Sequence, residues 1–229
     1  MGLSLSIIVP VRKDSPWIEI FLESVRENAH DLDNLEVLLG IAHDDTRTNP
    51  TDGFVRVIRL DQRLRKWGVG FYTNILALNA RGKLIWWLSD EVVIKTKDFD
   101  LLLDREADLV GDRIYKLSTS FEGCGGALYP ILTKKWIGVT KRWADIPNID
   151  SWVNTIDASL PQRSKTLPDL RIEDRRITEK ITEEESVAEY MPPEVPFDMD
   201  DYTWGGERVV GEIQKDVDKL LRAIAVQGL

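Results

Sequence analysis

Short apolar runs alternate with helix-like segments along the N-terminal part of the chain. Residues 3–11 form an apolar run rich in β-branched side chains, a pattern typical of a strand buried on both faces of a parallel sheet, and residues 35–42 predict a second buried strand. Between these runs, Ser15 can cap a helix and Pro16 suits its first turn. The apolar residues that follow repeat at helical spacing: Ile18, Phe21, Leu22, Val25 and Ala29. The pattern predicts a strand, a helix and a second strand.

The same alternation continues up to an acidic segment. Residues 54–60 alternate like a third strand, and residues 70–80 have the spacing of a helix that Gly82 ends. Residues 84–88 form a further apolar run, and the sequence Ser-Asp-Glu follows directly at 89–91. Strands and helices that alternate in this way form right-handed βαβ units. We therefore predict an α/β fold with a mainly parallel sheet flanked by helices.

Beyond residue 98 the pattern is less regular. Strands are predicted near 109–117 and 127–132, and short helices near 134–139 and 149–160. These elements indicate that the second half of the domain is smaller and contains both strands and helices. We place the whole domain at residues 1–160, a length that is ample for a self-sufficient core.

Two further segments complete the chain. Residues 161–206 are polar and rich in acidic residues and proline, so we interpret them as a flexible excursion. Residues 207–229 are predicted to contain an amphipathic helix, whose apolar positions are Val210, Ile213, Val217, Leu220 and Ile224. The helix is expected to dock on the core of its own chain, and a homodimer contact through this helix is the alternative.

Composition excludes several classes of function. The chain of 229 residues has 30 basic and 39 acidic side chains and a net charge of −9, which disfavours binding to nucleic acid or anionic lipid. One cysteine and two histidines leave no disulfide framework and no multi-cysteine or histidine-rich zinc site. No apolar run approaches the ~18 residues of a membrane span, and the N-terminus lacks a signal-peptide pattern. We therefore expect a cytoplasmic protein without an integral membrane segment.

Candidate chemistry is concentrated where the predicted parallel strands end. In an open parallel sheet, ligands bind outside the carboxyl ends of the strands. Residues 10–12, 43–45 and 89–91 follow three such strands, and the last two segments bring adjacent acidic residues to one edge. Like charges that meet there repel each other unless a cation or a hydroxyl-rich ligand lies between them, and a bound Mn²⁺ or Mg²⁺ would remove this repulsion. Helix caps and solvated turns are the structural alternative for such acidic residues.

Several common nucleotide and hydrolase motifs do not occur. The sequence contains no GxxxxGK[ST] loop and no GxGxxG fingerprint, so P-loop phosphoryl transfer and nicotinamide binding lack their usual anchors. It also contains no GxSxG elbow, which argues against a Ser-His-Asp hydrolase.

Three segments in a fixed order resemble one enzyme family. They are SIIVPVRKDSPWIEIFLESV, GFYTNILALNARGKLIWWLSDE, and LYPILTKKWIGV with the later NIDSWV, and together they cover about residues 4–155. The order and spacing are similar to those of the GT-A fold nucleotide-sugar glycosyltransferases, in particular the inverting family-2 type. The resemblance implies a GT-A, Rossmann-like sheet.

The resemblance also implies roles for particular residues. Asp90 and Glu91 match the metal motif of the family, and Asp150 matches an aspartate of its catalytic region. The basic turn that contains Arg65 is a further candidate for contacts to phosphate or base. The residues expected to contact the nucleotide are Pro10, Val11, Arg12, Asp44, Asp45, Arg65, Asn74, Ser89 and Asp90.

The implied activity is metal-dependent transfer of a sugar from a nucleotide diphosphate donor, a uridine one by resemblance, to an acceptor hydroxyl with inversion. A divalent cation stabilises charge on the leaving diphosphate, and a carboxylate accepts the hydroxyl proton. A nucleotidyltransferase is an alternative with a similar acidic metal site. Ala42 and His43 occupy positions that are often acidic in the family. This departure motivates a second alternative, a noncatalytic binding subunit on a degenerate transferase scaffold.

Overall fold

The N-terminal half forms the parallel part of a sheet. The computed structural model describes residues 3–12, 15–46, 49–61, 68–120, 128–145, 149–175 and 207–226. A short 3₁₀ turn, Leu32–Asn34, precedes β2. The first elements in chain order are β1 (Leu5–Pro10), α1 (Ile18–Asn28), β2 (Leu35–Ala42), β3 (Val55–Leu60), α2 (Gly68–Asn79) and β4 (Leu84–Trp87). These bounds confirm the predicted strand and helix order up to the acidic segment.

The second half adds antiparallel strands and more helices. Its elements are β5 (Val92–Ile94), α3 (Phe99–Val110), β6 (Lys116–Ser120), β7 (Ile131–Thr133), α4 (Lys134–Thr140), α5 (Ile149–Ala158), β8 (Ser164–Asp174) and α6 (Glu207–Val226). Helices α4 and α5 lie where the pattern predicts them. Helix α3 was not predicted, and its last residues fall in the segment 109–117 that was expected to be a strand. That expectation was wrong at its start, because strand β6 begins only at Lys116.

Within the part of the chain that the structure describes, eight strands form a sheet in the order β3-β2-β1-β4-β7-β6-β8-β5. β1 pairs in parallel with both β2 and β4, and β2 pairs in parallel with β3. β7 pairs antiparallel with β4 and β6, whereas β6 and β8 are parallel. The predicted α/β class with a mainly parallel sheet is therefore confirmed, with a mixed second half.

Strand β8 extends the sheet beyond residue 160. It lies in the segment 161–206, to which the sequence analysis assigned no secondary structure. β8 pairs with β6 along one side and with β5 along the other, so it is an internal strand of the sheet. The rest of that segment, from residue 176 on, lies outside the described residues.

Large apolar side chains fill the core between the sheet and its helices. Strands β1, β2 and β4 are buried along their whole length. The largest fully buried side chains are Trp86, Trp136, Trp143, Trp152, Phe21 and Phe99. Trp86 lies on β4 with its ring centroid 6.0 Å from that of Phe99, which begins α3. The core is thus centred on β1 and β4, the strands whose ends carry the candidate chemistry.

Gly82 lets the chain pass close to β1 just before β4 begins. A Cβ at this position would lie 2.5 Å from the carbonyl carbon of Leu5 and 2.5 Å from the backbone nitrogen of Ser6. The Gly82 N–H also donates to the Ser6 hydroxyl over 2.7 Å. The glycine is therefore required by packing against backbone. It does not end the preceding helix as expected, because α2 already ends at Asn79.

We expect Gly82→Ala to destabilise the fold by about 2–3 kcal/mol, because the added methyl group would push on the backbone of β1. For a chain of this size, that corresponds to a decrease in Tm of about 5–10 °C, measurable by circular dichroism. Gly211→Ala in α6 is the matched control, since a Cβ there meets nothing within 4 Å. Equal Tm values for the two variants would contradict the assigned close approach.

Helix α6 docks on its own chain through its apolar face. Val209, Ile213, Val217, Leu220 and Ile224 are buried, and the helix contacts α4 and α5. The prediction of an amphipathic C-terminal helix that docks on the core is confirmed. Val210 was wrongly placed on its apolar face, because Val210 is exposed and Val209 is buried instead. The apolar face proposed for a homodimer contact is therefore occupied within the chain, and the homodimer stays a prediction.

A buried charge network adds to this docking. Arg142, which follows α4, donates from Nε to Asp216 over 2.8 Å and from Nη2 to Glu212 over 2.9 Å. Burial alone would lower the pKa of Arg142, but the hydrogen bonds and charges of Asp216 and Glu212, together with the charge of Asp145, raise it. Hydrogen bonds from Lys215 and Arg142 lower the pKa of Glu212. These pKa shifts favour the charged forms of Arg142 and Glu212, which pair across the contact between α4 and α6.

Asp216→Asn tests the contribution of this network. Asp216 is fully buried and accepts hydrogen bonds from both Arg142 and Lys219. Removing its charge leaves Arg142 without its main partner, so we expect a loss of about 3 kcal/mol in the free energy of unfolding, measured by urea denaturation. Asp218→Asn is the control because Asp218 is exposed on the same helix and bonds Gln214. A loss equal to that of the control would show that α6 docks through apolar contacts alone.

Candidate active site

The carboxyl ends of three neighbouring parallel strands meet at one edge of the sheet. The Val11 N–H donates to the Gly40 carbonyl over 2.9 Å, and the Leu88 N–H donates to the Ile8 carbonyl over 3.1 Å. Residues 10–12, 43–45 and 89–91 therefore emerge side by side after β1, β2 and β4. The sequence analysis expected this convergence, and the registers of the strands confirm it.

Arg12 bridges the two acidic residues at the end of β4. Its Nε donates to Asp90 Oδ1 over 3.2 Å, and its Nη2 donates to Glu91 Oε2 over 2.9 Å. The side chains of Arg12, Asp90 and Glu91 are only 6%, 0% and 1% exposed. We call these three residues the Arg12 cluster. Two carboxylates therefore face one guanidinium in a buried position.

One carboxylate oxygen of the cluster lacks a hydrogen bond. Asp90 Oδ2 is buried and has no hydrogen-bond partner among the described residues. A buried acceptor without a partner is costly, and in native structures it marks a place where a ligand, ion or water completes the bonding. Asp90 Oδ2 can therefore accept one more positive or hydrogen-donating group.

The second half of the chain supports this cluster from the other side. The Ser89 and Tyr129 hydroxyls lie 3.0 Å apart, and the Tyr129 hydroxyl donates to Asp174 Oδ2 over 2.5 Å. The Arg175 N–H donates to the carbonyl of Glu91 over 3.3 Å. Sequence analysis missed Tyr129 and Asp174. The only signal for Asp174 was its position at the end of a weakly alternating apolar pattern, in a segment interpreted as flexible.

Asp44 and Asp45 form the turn that follows β2. The His43 N–H donates to the Leu60 carbonyl over 2.7 Å, which ties this turn to the end of β3. Arg59 on β3 donates to the Asp45 carbonyl over 2.6 Å, and Asp45 is 4% exposed. The turn lies at the same edge as the Arg12 cluster, and the nucleotide contacts expected of both aspartates stay a prediction.

A cleft borders the same edge between β2 and the start of α1. Its volume is about 380 Å³. The residues that line it are Ser15, Pro16, Ile18, Glu19, Leu39, Ile41 and Pro50. The lining is mainly apolar with a few polar groups, a combination that suits a small organic ligand.

Asn74 binds backbone in this structure. Its Oδ1 accepts from the Trp143 N–H over 2.6 Å and from the Ala144 N–H over 3.1 Å, and its Nδ2 donates to the Ala144 carbonyl over 2.6 Å. The amide therefore joins α2 to the segment after α4. This structural role was not foreseen, and the nucleotide contact predicted for Asn74 gains no support from these bonds.

The remaining predicted site residues lie in different settings. Asp150 is in the first turn of α5 and is half-buried. Pro10 ends β1, and Val11 continues its ladder of hydrogen bonds. Arg65 lies outside the described residues. The catalytic role of Asp150 stays a prediction.

Comparisons with known proteins identify the fold. No protein-family model and no curated protein sequence matches the chain. The mannosyltransferase PcManGT from Pyrobaculum calidifontis, solved with GDP-Man and Mn²⁺, matches with a TM-score of 0.56 and 16% identity over 72% of this chain and 55% of its own. TarS 1-349 of S. aureus with UDP-GlcNAc matches with a TM-score of 0.55 and 14% identity over 74% of this chain and 57% of its own. The fold is that of a GT-A glycosyltransferase.

A further match extends the similarity along the chain. TarS 1-349 in complex with UDP matches with a TM-score of 0.55 and 14% identity over 99% of this chain and 92% of its own. The matches to PcManGT and to the UDP-GlcNAc complex span little more than half of those chains. The GT-A fold predicted from the sequence motifs is thus confirmed.

The donor set at the edge of this GT-A fold is compatible with a divalent cation. Mn²⁺ and Mg²⁺ prefer carboxylate oxygens, which Asp90 and Glu91 provide, and Asp90 Oδ2 is a buried acceptor without a hydrogen bond. No group of three acidic, histidine or cysteine side chains with metal-binding geometry occurs among the described residues. Arg12 now bridges the two carboxylates, so a cation would have to share them with it or displace it.

No helix in the described part of this GT-A fold combines the length and the apolar character that crossing a membrane requires. The cytoplasmic location stays a prediction.

Asn74→Ala separates a structural role of this side chain from ligand binding. The substitution leaves the N–H groups of Trp143 and Ala144 without their acceptor, so we expect a loss of about 1–3 kcal/mol in the free energy of unfolding. Asn79→Ala, an exposed position of the same helix, should cost less than about 0.5 kcal/mol. Urea denaturation of both variants measures the difference, and equal losses would contradict the structural role.

Proposed function

We propose that this protein transfers a sugar from a nucleoside diphosphate sugar, with uridine as the nucleoside, to an acceptor hydroxyl with inversion. The observation that carries the proposal is the charged Arg12 cluster, which lies at the carboxyl edge of the parallel strands, where open α/β sheets bind ligands. The GT-A fold supports it, because PcManGT and TarS were solved with nucleotide sugars. The choice of uridine follows the TarS complexes with UDP and UDP-GlcNAc.

The nucleotide would lie along the edge formed by residues 10–12 and 43–45. The cleft between β2 and α1 offers an apolar surface for the base. Carboxylates accept hydrogen bonds from ribose hydroxyls, and Asp44 and Asp45 lie in the adjacent turn. Ser89 and Asp90 then face the diphosphate end of the donor in this arrangement.

Asp90 and Glu91 are the residues that would hold a Mn²⁺ or Mg²⁺ ion. When bound, such an ion supplies positive charge that stabilises the diphosphate as it leaves. The PcManGT complex with Mn²⁺ supports this assignment, as does the unpartnered Oδ2 of Asp90.

Asp150 is proposed as the general base. The acceptor oxygen forms its bond to the anomeric carbon while the bond from that carbon to the diphosphate oxygen breaks. The diphosphate keeps the electron pair of the broken bond, and the proton of the acceptor hydroxyl moves to the Asp150 carboxylate. A single displacement of this kind inverts the anomeric carbon.

Donor binding is tested by thermal denaturation with UDP, GDP and their sugar conjugates, with and without Mn²⁺. A ligand at about 100 times its Kd should stabilise the folded protein by about 2.7 kcal/mol. We expect the largest increase in Tm with UDP ligands, and Asp90→Asn should abolish it. No stabilisation by any nucleotide would overturn the proposed function and favour a noncatalytic scaffold.

Turnover is tested by measuring the release of UDP. Asp150→Asn should keep donor binding and lower kcat by at least about 100-fold, since general base catalysis contributes about 10²–10⁴-fold. Asp169→Asn, an exposed position on β8, is the control and should retain both properties. Release of pyrophosphate from a nucleoside triphosphate would instead identify a nucleotidyltransferase.

A further inference from the structure

We propose that Arg12 is an internal competitor for the divalent cation, and that the cation binds Asp90 and Glu91 only when the Arg12 guanidinium leaves them. The inference deepens the proposed function and rests on its assignment of Asp90 and Glu91 as cation ligands. It makes Arg12 the residue that sets how tightly the protein binds its cation.

The geometry places the guanidinium where a bridging cation belongs. Two nitrogens of one planar group contact one oxygen of Asp90 and one oxygen of Glu91, at 3.2 and 2.9 Å. An arginine fork matches carboxylate oxygens in this way and stays charged at any physiological pH. A divalent ion shared by the same two carboxylates would therefore lie close to a permanent positive charge, which repels it.

Burial strengthens this competition. The three side chains of the Arg12 cluster are almost completely shielded from water, so the repulsion between two cations is weakly screened there. Asp90 Oδ2 is buried as well, so an ion cannot reach it unless a covering group moves. Arg12 contacts both carboxylates, so its departure frees the Asp90 Oδ1 and Glu91 Oε2 atoms that it bonds.

Hydrogen bonds fix the backbone around Arg12, whereas the Arg12 side chain makes the contacts to Asp90 and Glu91. The Val11 N–H is bonded to the Gly40 carbonyl on β2, and the Ser15 N–H donates to the Arg12 carbonyl over 3.2 Å. The main chain on both sides is thus anchored. An exchange between guanidinium and cation therefore needs a change of side-chain rotamer rather than a rearrangement of β1.

The charge of a divalent ion explains why it can compete with Arg12. Arg12 brings one positive charge to two carboxylates, and Asp90 Oδ2 has no hydrogen bond among the described residues. A divalent ion shared by Asp90 and Glu91 would bring two positive charges to the same pair of side chains.

The test measures Mn²⁺ affinity without nucleotide, using electron paramagnetic resonance of free Mn²⁺ in titrations of the full chain. Arg12→Met removes the charge and keeps much of the side-chain volume. We expect this variant to bind Mn²⁺ at least tenfold more tightly than the unchanged protein. Arg12→Lys keeps the charge but cannot bridge both carboxylates, so its affinity should lie between the two.

Two controls assign the effect to this position. Arg59→Met removes the same charge from the end of β3, and the Mn²⁺ affinity should change less than twofold. Asp90→Asn added to Arg12→Met should abolish the gain. If Arg12→Met does not fold, as judged by circular dichroism, Arg12→Lys decides, because it should bind Mn²⁺ more tightly than the unchanged protein.

Unchanged or weaker Mn²⁺ binding in the Arg12 variants would overturn the inference, because Arg12 would then orient the carboxylates instead of competing for them. Absence of Mn²⁺ binding in all variants would overturn it as well. These titrations contain no nucleotide, so their outcome is independent of the donor-binding test. A protein whose Arg12 variants gain Mn²⁺ affinity but bind no nucleotide would contradict the proposed function alone.

Discussion

The central constraint on this molecule is the burial of two adjacent carboxylates at the end of a core strand. Removing Asp90 and Glu91 from water is tolerable only with a positive partner inside the same protein environment. The sheet order supplies that partner, because β1 and β4 are parallel neighbours and both end at this edge. Arg12 follows β1 directly, so the same pairing that builds the core also brings the counter-charge to the acid pair.

Sequence patterns were sufficient for the parallel half of the fold. Strands β1, β2 and β4 are buried on both faces, so each appears in the sequence as a mainly apolar run. Once three such strands are parallel, the segments 10–12, 43–45 and 89–91 must meet at one edge. The location of the candidate site therefore followed from periodicity and topology alone.

Partners that are distant in sequence account for what the patterns did not predict. Arg12 and Asp90 are 78 positions apart, and Asn74 lies 70 positions from Ala144, so no local pattern reports either contact. Strand β8 has its first residues exposed and only scattered buried positions, which makes it resemble a polar loop. A polar residue in a plausible motif can thus form hydrogen bonds to backbone groups, as Asn74 does. Only the tertiary arrangement distinguishes this structural role from ligand binding.

The two halves of the chain together restrict what can move at the site. The Arg175 N–H holds the Glu91 carbonyl, and the Tyr129 hydroxyl connects Ser89 to Asp174, so the backbone of residues 89–91 is bound on the side of β8. On the opposite side, the contacts are made by the long side chain of Arg12. Because the carboxylates lie on a restrained backbone, the long side chain of Arg12 is a part of this contact that can move when a ligand enters the edge. In the competition that we propose, the cost of moving this buried guanidinium sets how readily Asp90 and Glu91 accept a cation.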